Sequence, residues 1–232
     1  MNTPLALDIA GRSLPVTVRR SGTARRMSLR LDPAGASVVV VLPVGVPLVE
    51  AERFARHQHD WIAGKLAAMP ERIILAPGAE VMLLGESHVI RHQPAARRGV
   101  WAEGGIIHAS GREEHVPRRV AEFLRGEALL VLRHRARALA EAIGRRVERV
   151  GVRDTRSRWG SCTAGGDLSF SWRLVMAPAW VLDYVVAHEV AHLAEMNHGP
   201  DFWQLVENLI GDPAPARRWL KRHGPDLHRF AS

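Results

Sequence analysis

The chain has 232 residues, 47% of them hydrophobic, with 32 Lys and Arg against 24 Asp and Glu and a formal charge of +8; that is enough for one large or two small domains with buried cores. Of the basic residues only Lys65 and Lys221 are lysines, and so lopsided a ratio reads as a compositional bias rather than a nucleic-acid patch. The single cysteine, Cys162, excludes an internal disulfide, and neither a signal peptide nor an apolar run near the ~18 residues of a membrane span is evident, so a soluble, cytoplasmic chain is expected.

From Leu5 to Leu42 the pattern is strand-like. Leu14-Pro-Val16-Thr-Val18 and Met27-Ser-Leu29-Arg-Leu31 alternate apolar and polar residues, Asp32 to Gly35 is a turn, and Ser37 to Leu42 is a more buried strand. Arg19, Arg20, Arg25, Arg26 and Arg30 cluster near the loop between the second and third strands and read as a solvated hairpin end. Pro47 opens a helix predicted to run to Met69. Short strands follow at Ile73 to Leu75, Glu80 to Leu84 and Ser87 to His92, with Gly85-Glu86 as a hairpin turn. Trp101 and Ile106 to His108 make a last, weak hairpin, and His57, His59 and His108 read as surface residues.

The character changes near residue 112. From Val116 to Ile143 the apolar residues Val120, Phe123, Leu124, Ala128, Leu132, Ala136 and Leu139 form one helical stripe, and Gly144 ends it. Val147 to Val152 is a strand. Arg156 to Cys162 and Leu168 to Leu174 then form a hairpin with Trp159 and Trp172 in its core, where Gly160 marks a bulge or a close backbone approach. Pro178 starts another helix, Asp201 to Ile210 a further one, and a last helix ends near Arg222, leaving Gly224 to Ser232 irregular. The class is α+β: a β-rich half over residues 1–112, with one helix at 47–69, and a second domain over 113–232.

The helix after Pro178 carries His188-Glu189-Val190-Ala191-His192. Residues four apart on a helix lie about 40° apart around the axis, so both imidazoles leave one face, as two ligands of a tetrahedral zinc must. Glu189 sits where it can take a proton from a water polarised by that metal. Val181, Leu182, Val185, Val186 and Val190 make the helix apolar almost all round and mark it as buried. For His198 to be a third ligand the helix must stop first, because continued helix puts it about 240° further round; Asn197 is the predicted stop. Core histidines bonded to neighbours are the plainer alternative, and Glu207 an alternative third ligand. A sheet edge beside this helix gives an extended peptide a place to pair.

These residues, together with Asn197-His198-Gly199-Pro-Asp-Phe202-Trp203, Arg158-Trp-Gly-Ser-Cys162 and Leu168 to Pro178, closely resemble the YgjP-like metallopeptidases, small bacterial zincins related to the SprT-like and WLM proteases. The resemblance implies a minimal zincin-like domain of backing helix, short sheet, active-site helix and closing helices. It implies one zinc held by His188, His192 and His198, with Glu189 as base and a peptide or protein as substrate. Glu195 stands where metzincins have glycine, which sets the chain apart from that group. Tyr184, Arg158 and Arg173 are the candidate oxyanion donors, and Cys162 lacks a free histidine to act as a nucleophile. A nucleoside triphosphate such as UTP is the second substrate class, since some members of the family are linked to its pyrophosphohydrolysis and arginines can hold phosphates. A zinc-containing binding module without catalysis, for nucleic acid or another partner, is the third reading.

Overall fold

The computed structural model describes residues 5–32, 37–67, 72–155 and 157–231. The chain divides into two compact units, Met1–Glu71 and Arg72–Ser232.

In the first unit, strands β1 (Ala6–Ile9), β2 (Arg12–Ser21), β3 (Ser28–Leu31) and β4 (Val38–Pro43) form one sheet in the order β1-β2-β4-β3. Alternation puts Leu14 and Val16 of β2 and Val38, Val40 and Leu42 of β4 on the inner face. Helices α1 (Leu48–His57) and α2 (His59–Ala67) add Ala51, Ala55 and Ile62 to that core. The single helix expected here is interrupted at Gln58, whose amide bonds the carbonyls of both Phe54 and Ala55 at 3.2 Å before the chain starts again. Its end at Met69 and most of the turn before β4 lie outside the described residues. β4 separates β2 from β3, so Arg25 and Arg26 sit in a crossover loop and not at a hairpin end, while Arg19 and Arg20 belong to β2 and Arg30 to β3.

The second unit begins well before the change of character near residue 112. Strands β6 (Glu80–Leu83), β7 (Glu86–His92), β8 (Val100–Glu103) and β9 (Ile106–Ala109) make a sheet in the order β6-β7-β9-β8. Its apolar face, with Val81, Ile90 and Ile107, shares one core with the long helix α3 (Val116–Ala142), which is why these strands belong with the helices that follow. α3 buries Val116, Val120, Leu124, Ala128, Leu132, Ala136 and Ala140, a four-residue repeat that keeps one stripe inward. Gly144, at φ +64°, turns the chain out of it. His108, read as a surface residue, is buried and stacks on Trp101 at 4.7 Å.

Strands β10 (Arg149–Arg153), β11 (Gly160–Cys162) and β12 (Asp167–Ser171) form a second sheet in the order β10-β12-β11, with β11 an antiparallel edge. The predicted strand to Leu174 ends at Ser171, and Trp172–Met176 is a 3₁₀ turn that buries all five of its side chains. It leads into α4 (Ala179–Ala191), then α5 (Pro200–Ile210) and α6 (Ala214–Leu227). The last stretch is not irregular. α6 continues through Gly224 and Pro225, and β13 (Phe230–Ala231) pairs in parallel with β5 (Ile73–Ile74). The architecture is mixed α+β, as the pattern of elements indicates. Among the described residues no helix is long and apolar enough to cross a membrane.

Candidate metal centre

α4 has no polar face. Val181, Leu182, Val185, Val186, Val190 and Ala191 are buried in the core, and Glu189 is buried with them. A carboxyl group placed there is costly in its charged form, and burial pushes the Glu189 pKa up to about 7 against the opposing pull of Arg158. The helix stops at Ala191, not at Asn197. His192 is its C-cap, and the amides of Leu193 and Ala194 close a turn on the carbonyls of Val190 and Ala191. His198 arrives at the end of that turn, before α5.

The ligand atoms of His188, His192 and His198 all lie within 4.8 Å of one another, the one such group of His, Cys, Asp and Glu among the described residues. The Nε2 atoms of His188 and His198 stand 3.1 Å apart. Two nitrogens bound to one tetrahedral zinc are separated by about 3.3 Å, given Zn–N bonds near 2.0–2.1 Å, so the spacing suits a shared ion. His192 Nδ1 donates to the Glu195 carbonyl at 3.0 Å, which fixes the ring and leaves Nε2 with its lone pair. Phe202, fully buried on α5, packs against all three imidazoles at 4.6–4.9 Å between ring centroids. Burial, followed by the neighbouring histidines and Arg217, lowers the His188 pKa to about 4. Burial lowers that of His192 as well. Neutral imidazole is the form that binds metal.

A cleft of about 380 Å³ opens beside His188 and Glu189, lined by Arg158, Trp159, Gly160, Tyr184, Val185, Arg217 and Leu220. Gly160 in β11 is the close approach that its sequence context suggests. A Cβ there would lie 2.5 Å from both Cγ and Oε1 of Glu189. Of the three candidate oxyanion donors, Tyr184 and Arg158 line this cleft. Tyr184 keeps its phenolic proton, because burial raises its pKa more than Arg217 lowers it. Arg173 does not line it. Its guanidinium is buried, pairs with Asp154, donates to the Phe230 carbonyl and lies over Trp172, so it ties the 3₁₀ turn after β12 to the C-terminal strand β13. Glu207 is exposed on α5 and lies outside the histidine cluster. The Cys162 thiol donates to the Thr163 carbonyl at 3.3 Å, and burial with Glu189 nearby pushes its pKa up to about 11; it is a poor nucleophile. Arg217 and Leu220 have no motif to announce them. Their i, i+3 spacing, continued by Gly224 at i+7, is the one signal that α6 presents a face to something.

The YgjP-like metallopeptidase domain matches residues 25–223 of the chain. A search of curated proteins finds no match. Among solved structures the chain is similar to the metallopeptidase zymogen abylysin of Pyrococcus abyssi, at 18% identity and a TM-score of 0.37, over 44% of this chain and 99% of that one. The chain belongs to the YgjP-like family and so to the metal-dependent peptidases.

Proposed function

We propose that this member of the YgjP-like family is a zinc peptidase in which His188, His192 and His198 hold one metal ion and Glu189 is the general base. The observation that carries the reading is the convergence of three imidazole nitrogens beside a buried carboxyl group. Three neutral nitrogen donors favour zinc over magnesium or calcium, which prefer oxygen, and leave one tetrahedral position for chemistry. Zinc held there supplies Lewis acidity toward water and toward the scissile carbonyl. Glu189, buried beside the histidines, takes a proton from the attacking water and returns it to the departing amine. Tyr184 and Arg158 are the donors within the cleft for the developing oxyanion. β11, an edge strand against the same carboxylate, offers its free backbone groups to an extended peptide. The single cysteine supports a reducing, cytoplasmic setting.

Metal analysis and peptide hydrolysis, run on the same preparations, test this. Wild type is expected to carry one zinc per chain and to cleave casein or a quenched peptide library. His198→Ala is expected to lose the metal. Glu189→Gln is expected to keep it while hydrolysis falls by about 10²–10⁴-fold. The arginines of the cleft make UTP the control substrate. A chain that cannot be loaded with zinc, or that hydrolyses UTP and no peptide, overturns the reading.

A further inference from the structure

The cleft beside Glu189 is not neutral. Trp159, Val185 and Leu220 wall it, two guanidinium groups, from Arg158 and Arg217, reach it from separate segments, and its one acid is Glu189. Elsewhere in the molecule Arg56, Arg118, Arg135 and Arg173 each have a carboxylate partner. Among the described residues neither Arg158 nor Arg217 makes an ion pair. Arg217 is also held in place. Its guanidinium carbon lies 4.9 Å over the ring of Trp203, which leaves the N–H edge of the fork free to grip a planar anion.

The direction of a bound peptide follows from β11. It runs from Gly160, at this cleft, to Cys162, beyond which Thr163 to Gly166 line a second cleft of about 360 Å³ that His192 also borders. A strand added antiparallel to β11, the more stable pairing, therefore passes from the second cleft to the first in its N-to-C direction. The residue after the scissile bond falls beside Arg217.

We infer that the Arg217 cleft selects a carboxylate on the residue following the scissile bond, either an Asp or Glu side chain or a free C-terminal α-carboxylate; this rests on the peptidase reading above. The test uses zinc-loaded Glu189→Gln chain, which holds peptides without cutting them, and titration calorimetry. Capped, alanine-rich decapeptides with a single Glu, Gln or Lys at the sixth position address the side chain. Free-acid and amidated hexapeptides address the terminus. At least one carboxylate peptide is expected to bind roughly fivefold to tenfold tighter than its neutral counterpart, and the pair that shows the advantage identifies its source. Adding Arg217→Gln is expected to bring that ratio within twofold, and Arg217→Glu to favour Lys over Glu. Ratios between peptides are insensitive to the fraction of folded chain. Equal binding within both pairs, an advantage that survives Arg217→Gln, or Arg217-dependent binding of UTP alone overturns the inference. Wild type that cleaves the peptides without the preference sinks the selectivity and keeps the peptidase. The preference without any cleavage does the reverse.

Discussion

Gly160→Ala isolates the position of Glu189, the proposed general base. Gly160 does not occupy the left-handed region, so alanine is compatible with its backbone and the effect is steric. The new Cβ would stand 2.5 Å from Cγ and Oε1 of Glu189 and 2.8 Å from Cδ, where carbon needs about 3.5 Å. The carboxylate must retreat by about 1 Å, and core residues surround it on α4. Misplacing a catalytic group by that much costs about 10²-fold, or ~2.7 kcal/mol of barrier. Zinc content should not change, because Glu189 is outside the histidine cluster. Overpacking of about 1–3 kcal/mol is partly offset by the ~0.4–1 kcal/mol that alanine gains over glycine through the unfolded chain, so most of the protein stays folded. The assay is kcat/KM on a quenched peptide with zinc measured in parallel, and Gly151→Ala in β10 is the control, since nothing lies within 4 Å of its added carbon. Gly160→Ala with more than a third of wild-type kcat/KM and full zinc would refute the reasoning.

Two further outcomes are expected from the same structure. The Cys162 thiol, with its pKa at about 11 against an ordinary 9.0, is roughly a hundredfold less ionised at pH 8 than in the unfolded chain. Its alkylation by iodoacetamide, followed by mass spectrometry, should be slower by that order in native protein than in urea, and should accelerate up to pH 10; comparable rates at pH 8 contradict the burial argument. Leu132→Ala, which empties a fully buried site midway along α3, should cost about 2–5 kcal/mol in urea unfolding. Leu130→Ala, at a side chain 62% exposed on the same helix, should stay within about 0.5 kcal/mol.

α3 is legible because a single stripe of Val120, Leu124, Ala128, Leu132 and Ala136 has only one physical use. The division of the chain at Glu71 is not, because it depends on partners far apart in sequence. β7 pairs in parallel with β9, skipping β8, which lies between them in sequence but at the sheet edge, and no local pattern shows that this sheet shares the core of α3. Gly224 and Pro225 look like helix breakers, and tertiary packing overrides them. A Cβ at Gly224 would lie 2.9 Å from Trp159, so glycine is present for the close approach and the helix absorbs its weak propensity. Pro225 sits in the last turn, where the chain leaves the helix two residues later.

The histidine cluster divides in the same way. His188 and His192 are legible because helix geometry alone brings residues four apart together. His198 depends on where the helix stops, and the stop is set by the turn of Leu193 and Ala194 and by a side chain, His192 Nδ1 on the Glu195 carbonyl, rather than by the residue with the right propensity, Asn197. Arg173 shows the opposite error: nearness in sequence to the hairpin suggested the cleft, whereas a buried guanidinium needs a fixed acid, and Asp154 holds it elsewhere. Arg217 comes from α6, about 29 residues beyond His188, and reaches the cleft only because α6 packs back along α4. Gly160 joins the two kinds of information. A glycine inside a strand signals that something approaches the backbone, but only the fold shows that it is the carboxylate of Glu189. The close fit explains why a side chain cannot be added there without moving Glu189.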